Sequence, residues 1–99
     1  MKVAFDVDNT LWKVKYDDSG KPVSQVPDFD LIEMLLWFHS NGDSVYIWSG
    51  SGVDYAIRFA EKMGLEDCVE VIRKGSVEVD IAFDDEQTSL AKVDIQVKR

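Results

Sequence analysis

The sequence has few of the residues from which covalent cross-links and soft-metal sites are built. Its 99 residues include one cysteine, Cys68, and one histidine, His39. A lone cysteine excludes an internal disulfide, and these two side chains cannot supply the four ligands of a structural zinc site within one chain. The composition therefore fits a reducing compartment and argues against zinc chemistry.

Positive charge and long apolar runs are also scarce. There are 19 acidic against 11 basic residues, and the formal net charge of -8 opposes nonspecific binding along a nucleic-acid backbone. No apolar run approaches the length of a membrane span, and Asp6 falls where a signal peptide needs its apolar core. We therefore expect a cytoplasmic protein with no membrane partner.

Hydrophobic residues make up 45% of the chain, which is enough for one packed core, so we expect one domain over residues 1–99. Their spacing predicts strands that alternate with helices, and hence an α/β sandwich with a mainly parallel central sheet. Between the first strand and the first helix, alternation around an Asp-Asp-Ser-Gly turn predicts a projecting flap hairpin at about 11–26. The predicted strands are 2–7, 44–49, 69–72, 79–83 and 94–97, and the predicted helices are 28–40 and 53–63.

The first predicted helix, 28–40, is apolar around well over half of its circumference. Such a helix either lies wedged between its own sheet and neighbouring loops, or forms a subunit interface. The second alternative would make the protein a homo-oligomer through this helix. The apolar residues are Leu31, Ile32, Met34, Leu35, Leu36, Trp37 and Phe38.

Polar side chains that could bind a ligand or take part in catalysis follow three of the predicted strands. These segments are Asp6-Val7-Asp8-Asn9-Thr10, Ser49-Gly50-Ser51-Gly52 and Asp84-Asp85-Glu86. Ligands of open α/β sheets bind at the carboxyl ends of the strands, so four or five carboxylates should converge there. Such a cluster repels itself, and a hard divalent cation with oxygen ligands is the simplest remedy; Mg²⁺ is favoured because it needs only a few carboxylates.

The same three segments carry a family resemblance. Residues 3–11 resemble the first motif of the haloacid dehalogenase (HAD) superfamily, an apolar strand followed by Asp-x-Asp-x-Thr. Residues 45–50 resemble its second motif, an apolar strand that ends in Ser or Thr, and residues 81–85 its fourth, an apolar strand that ends in an acidic pair. The resemblance implies a Rossmann-like three-layer sandwich and the activity of a magnesium-dependent phosphatase.

Residue by residue, the resemblance implies that Asp6 is the nucleophile and becomes a phosphoaspartate. Asp8 would be the general acid and base, with its backbone carbonyl facing the metal, and Thr10 would support Asp8 and the loop. The resemblance thus implies catalysis by Asp6 and Asp8, phosphate binding around Thr10, Ser49, Gly50 and Lys74, and Mg²⁺ binding by Asp6, Asp8, Asp84 and Asp85.

The lysine of the third motif has two candidates, Lys74 first and Arg73 second. Only ten positions separate Lys74 from Asp84, whereas the family usually has a longer segment there, and a parallel crossover normally takes a dozen or more residues. Either 69–72 is not a regular sheet strand, or the connection runs nearly taut beneath the sheet.

The family's cap domains are inserted after the first motif or between the second and third, and neither place has room for one here. We therefore expect an open site for a phosphate on a bulky or macromolecular group, such as a polynucleotide 3'-phosphate bound by its end, or a phosphoprotein. Trp12 is either core or a substrate contact that stacks beside the hairpin lysines, which are Lys13, Lys15 and Lys21.

Two other functions remain open. A receiver-like signalling module also uses a phosphorylated aspartate, an acidic pair, a hydroxyl residue and a lysine, although there the acidic pair follows the first strand and the acceptor comes later. A catalytically silent HAD-like interaction domain would keep the motifs and use the apolar helix 28–40 as its partner surface.

Overall fold

The chain has two helices, which alternate with strands between residues 22 and 71, as the hydrophobic periodicity predicts. The structure, a computed structural model, describes residues 1–99. Its elements are β1 (Lys2–Asp6), β2 (Trp12–Tyr16), β3 (Pro22–Pro27), α1 (Phe29–Ser40), β4 (Ser44–Trp48), α2 (Val53–Met63), β5 (Glu70–Val71), β6 (Val79–Asp84) and β7 (Ala91–Gln96).

The main sheet has five strands in the order β5-β4-β1-β6-β7, and every pair of neighbours is parallel. Strand β1 lies at the centre, where Val3 pairs with Val45 on one side and Ile81 on the other. A strand with neighbours on both edges and layers on both faces needs a continuous apolar run, which Val3 to Phe5 supply. The predicted mainly parallel α/β architecture is therefore confirmed. Strands β2 and β3 form a separate antiparallel hairpin.

Both helices pack on the same face of the sheet. Leu35 and Phe38 of α1 and Phe59 of α2 belong to one buried cluster together with Phe5 and Ile47 of the sheet. Each helix follows a strand and leads to the next strand on the same side of β1, and right-handed crossovers then place both helices on one face.

The opposite face is covered without a helix. Ala4, Tyr46 and Trp48 form a second buried cluster there, against which Val77 and Leu90 pack from irregular segments. The third layer of the expected sandwich therefore consists of irregular chain. The reason is the crossover from β5 to β6, which must pass beneath β4 and β1, about 14 Å at the usual strand spacing. Residues 72–78 are too few to form a crossover helix over that distance, and they include a turn in which the Ser76 amide donates to the Arg73 carbonyl at 3.0 Å.

Of the two explanations offered for the short spacing before Asp84, the structure supports the first, since the connection to β6 includes a turn at 73–76 and is not taut. The strand predicted over 69–72 is reduced to the two residues of β5, and the connection to β6 contains no helix. At the other edge of the sheet, β7 begins at Ala91, three positions before the predicted start.

Helix α1 begins after Asp28, whose Oδ1 accepts a hydrogen bond from the Leu31 amide at 3.1 Å. The helix is not wedged on all sides, because Phe29 is 65% and Trp37 61% exposed. The subunit interface through this helix stays a prediction. No helix in the structure combines the length and the hydropathy needed to cross a bilayer.

Candidate active site

The carboxyl ends of β1, β4 and β6 meet at one edge of the sheet, around a polar cavity of about 270 Å³. All but one of the predicted site residues line this cavity; the exception, Thr10, is fully buried behind it and donates its hydroxyl to Oδ2 of Asp6 at 3.3 Å. The cavity is lined by Asp6, Asp8, Asn9, Tyr16, Ser49, Gly50, Ser51, Lys74, Asp84, Asp85 and Glu86.

Three carboxylates and one ammonium group form the centre of the site. Oxygens of Asp6, Asp84 and Asp85 lie within 4.8 Å of one another. Lys74 Nζ lies 3.3 Å from Oδ1 of Asp6 and 2.6 Å from Oδ2 of Asp84. Three negative charges against one positive leave a local excess of about two in the fully ionised state. The turn at 73–76 thus brings Lys74, rather than Arg73, into the site.

This crowding changes the proton affinities of the cluster. Burial, together with the charge of Asp84 and against the opposing charge of Lys74, raises the pKa of Asp6 to about 7. Burial also raises the pKa of Asp85, although its hydrogen bond with Asp6 acts in the opposite direction. Burial lowers the pKa of Lys74, but pairing with Asp84 and the charge of Asp6 outweigh burial and raise it overall. Lys74 therefore stays cationic, whereas Asp6 takes up a proton near neutrality.

The cluster has the donor set of a site for a hard divalent cation. All its ligand atoms are carboxylate oxygens, and the excess of negative charge would be balanced by one such ion. In addition, the buried Oδ2 of Asp84 has no aligned hydrogen-bond donor, because its short contact with Lys74 is an ion pair with poor hydrogen-bond geometry. Asp6, Asp84 and Asp85 could therefore hold a metal ion.

Asp8 stands apart from this cluster, because its carboxylate is bound elsewhere. Its Oδ1 accepts hydrogen bonds from Trp12 Nε1 at 2.9 Å and from the hydroxyl of Tyr55. Of the four predicted metal-binding residues, Asp8 is thus the one whose carboxylate does not join the other three. Its backbone carbonyl is the group that the resemblance assigned to the metal.

Trp12 belongs to the core, which decides between its two interpretations. Its side chain is only 4% exposed, and it packs edge-on against Phe59 with ring centroids 4.8 Å apart. It therefore offers no free face for stacking on a substrate. Tyr16, which is 50% exposed and lines the cavity, is the aromatic residue of the hairpin that a substrate can reach.

The loop after β4 presents a hydroxyl and several backbone amides. Ser49 is buried, and its Oγ accepts a hydrogen bond from the Ser51 amide at 3.0 Å. Gly52 precedes α2 with φ of 105°, which only glycine adopts without strain, and it provides no side-chain cap. The first amides of α2 therefore remain available to an anion. An added Cβ at Gly50 would meet no protein atom, so the backbone there is open to a ligand.

Sequence reasoning missed three residues at or next to the site, of which Tyr16 lines the cavity. Tyr55 lies in the first turn of α2, and its place soon after Ser49 is the only sequence signal that could have found it. Arg99 donates Nε to the carbonyl of Asn9 at 2.9 Å and Nη2 to that of Thr10 at 2.7 Å, and pairs with Asp28 at 2.9 Å. No local pattern indicates that contact.

No protein-family model, curated protein or solved structure matches this chain. Its function is therefore argued from the chemistry of the site.

Proposed function

We propose that this chain is a magnesium-dependent phosphatase that forms a phosphoaspartate at Asp6, and that it is a capless member of the HAD superfamily. One observation carries the proposal: Asp6 ends the central strand in contact with Lys74, within a cluster that also contains the Asp84-Asp85 pair. A carboxylate nucleophile needs such a setting, because a phosphate ester brings two further negative charges to it.

The fold supports the same proposal. The three segments that resemble HAD motifs end on adjacent strands, with the first motif on central β1 and the others on β4 and β6. This adjacency brings segments that lie far apart in sequence to one cavity, as a Rossmann-like HAD sandwich requires. In a receiver-like module the acidic pair would follow the first strand, whereas here that strand ends in Asp6, the proposed acceptor.

In the first half of the proposed reaction, a carboxylate oxygen of Asp6 attacks phosphorus and the bond from phosphorus to the leaving oxygen breaks. Asp8 transfers its proton to that oxygen, so an alcohol leaves and Asp8 becomes a carboxylate. Mg²⁺ held by Asp6, Asp84 and Asp85, with the carbonyl of Asp8, would supply charge neutralisation at the phosphoryl oxygens.

In the second half, water attacks phosphorus of the phosphoaspartate while Asp8 accepts a proton from that water. The bond from phosphorus to the oxygen of Asp6 breaks, which releases inorganic phosphate and returns Asp6 and Asp8 to their starting states. Lys74, held between Asp6 and Asp84, neutralises the nucleophile and a phosphoryl oxygen in both halves.

The phosphoryl group would be bound by Ser49, by the backbone near Gly50 and by the open amino terminus of α2. The site has no cap, because α1, α2 and the hairpin account for all the secondary structure outside the main sheet. We therefore favour a phosphate on a bulky or macromolecular group, either a polynucleotide 3'-phosphate or a phosphoprotein. With Trp12 buried, Tyr16 and the exposed lysines of the hairpin are the groups left to contact it.

The decisive experiment is hydrolysis of 4-nitrophenyl phosphate with Mg²⁺, with EDTA, and by the Asp6→Asn variant. We expect turnover only by the wild-type protein with Mg²⁺. A receiver-like module would incorporate phosphate from acetyl phosphate without sustained turnover, and a silent interaction domain would do neither. Equal turnover by Asp6→Asn and wild type would refute the assignment of the nucleophile.

A further inference from the structure

In the proposed reaction Asp8 first donates and then accepts a proton. The two oxygens of its carboxylate differ in their hydrogen bonds. Both protein donors, Trp12 Nε1 and the Tyr55 hydroxyl, bind the same atom, Oδ1. No protein group donates a hydrogen bond to Oδ2, although Asp8 lines the cavity. The two donors therefore leave Oδ2 as the oxygen of Asp8 that is free to contact a substrate.

The two donors are themselves held by the core. Trp12 is buried, and its ring packs edge-on against Phe59 at 4.8 Å and against Tyr55 at 6.4 Å. Tyr55 lies in the first turn of α2, the helix that follows the cavity residues Ser49, Gly50 and Ser51. The orientation of Asp8 thus depends on the packing of Trp12, 4 positions away along the chain, and of Tyr55, 47 positions away.

We propose that Trp12 and Tyr55 are a positioning pair that fixes Oδ1 of Asp8 and leaves Oδ2 as the atom that exchanges protons with the leaving group and with water. This inference rests on the proposed phosphatase function. It assigns no direct contact between the pair and the phosphate. The pair acts by fixing the orientation of the Asp8 carboxylate, because the rate of proton transfer falls steeply when the donor and acceptor are misaligned.

The test compares kcat/KM for aryl phosphates whose leaving groups range from 4-nitrophenol, which departs without help, to phenol, which needs protonation. In Tyr55→Phe and in Trp12→Phe we expect about a tenfold loss with phenyl phosphate and under about threefold with 4-nitrophenyl phosphate. The double variant should lose more with phenyl phosphate than either single variant. The matched control is Tyr46→Phe, which removes a hydroxyl on the opposite face of the sheet and should leave the series unchanged.

A loss of equal size for all leaving groups would show a merely structural role for the pair and would overturn the inference, while the phosphatase function would stand. Absence of turnover by the wild-type protein would overturn the function and the inference together.

A second measurement tests the contact without activity. Unfolding free energies of metal-free Asp8→Ala, Tyr55→Phe and the double variant should be non-additive, because each change removes the same hydrogen bond. Additive effects would show that Tyr55 does not hold Asp8, and would overturn the inference whatever the enzyme assays give.

Discussion

At the two edges of the parallel sheet, the pKa values of aspartate side chains are shifted in opposite directions. At the carboxyl edge, burial and crowding raise the pKa of Asp6 to about 7. At the amino edge, the Lys2 amide at 2.8 Å and the Lys92 ammonium at 3.2 Å hold the pKa of Asp80 below its usual value. Asp43 is likewise paired there, with the Met1 amine at 3.1 Å.

The size of the cavities does not separate these edges. The open cavity at the amino edge measures about 910 Å³ and the one at the carboxyl edge about 270 Å³. Asp80, the one aspartate that lines the larger cavity, has partners that favour its charge, whereas Asp6, Asp84 and Asp85 of the smaller cavity repel one another. Uncompensated charge, which costs stability, therefore distinguishes the two edges better than cavity volume does.

The largest expected effect comes from removing one charge at the carboxyl edge. Asp6→Asn should lower kcat by at least about 1000-fold, because it removes the proposed nucleophile. It should also raise the unfolding free energy of the metal-free protein by about 1–3 kcal/mol near neutral pH, because each unit of raised pKa represents about 1.4 kcal/mol. Activity assays and denaturant titrations check the two parts. A destabilised variant would contradict the account of this edge as electrostatically strained.

Removing the cation of the same edge should have the reverse effect on stability. Lys74→Met leaves the buried Asp84 without its ion-pair partner, and we expect a loss of about 2 kcal/mol in unfolding free energy and about 100-fold in kcat. The matched variant at the amino edge is Lys92→Met, whose side chain is 81% exposed, and both quantities should stay near wild type. Similar losses in both variants would remove the distinction between the edges.

The pH dependence of stability should also differ between the edges. Because the pKa of Asp6 is raised from 3.8 to about 7 on folding, the metal-free folded state holds an extra proton in that window. Its contribution to stability is complete below about pH 4 and is lost as pH rises through 7. Mg²⁺ competes with this proton, so the increase in Tm at a fixed Mg²⁺ concentration should be larger at about pH 8 than at about pH 5. An increase in Tm that is independent of pH would show that Mg²⁺ does not bind at Asp6.

The smallest effect belongs to Asp80, where the sign is opposite. Its pKa is lowered on folding, so its stabilising contribution is present above 3.8 and is lost as pH falls through the folded value. Asp80→Asn should therefore lower Tm slightly at pH 7, should have no such effect in acid, and should leave kcat unchanged. A large loss of activity would show that the amino edge takes part in function.

Much of the fold and the site could be predicted because it depends on local pattern. Apolar runs define β1, β4 and β6, and the polar residues at their ends, such as Asp6, Ser49 and Asp84, meet because parallel strands share one edge. The same reasoning gave α1 its start at Asp28, a capping residue directly before the apolar run.

What could not be predicted depends on contacts between distant segments. The side chain of Tyr55 reaches Asp8 and that of Arg99 reaches Asn9, and no periodicity within a helix or strand encodes either contact. The reduction of β5 to two residues has a similar origin, since the short crossover to β6 limits how long the chain can continue as an edge strand.

The contacts of Arg99 have a practical consequence for protein engineering. Its guanidinium group ties the carbonyls of Asn9 and Thr10 to the start of α1, so a segment fused after Arg99 would begin beside the candidate site. Met1, by contrast, lies at the opposite edge of the sheet, paired with Asp43. An affinity tag or a surface-immobilisation linker placed before Met1 would thus keep the mouth of the cavity clear, whereas the same linker at the other terminus would obstruct a large substrate.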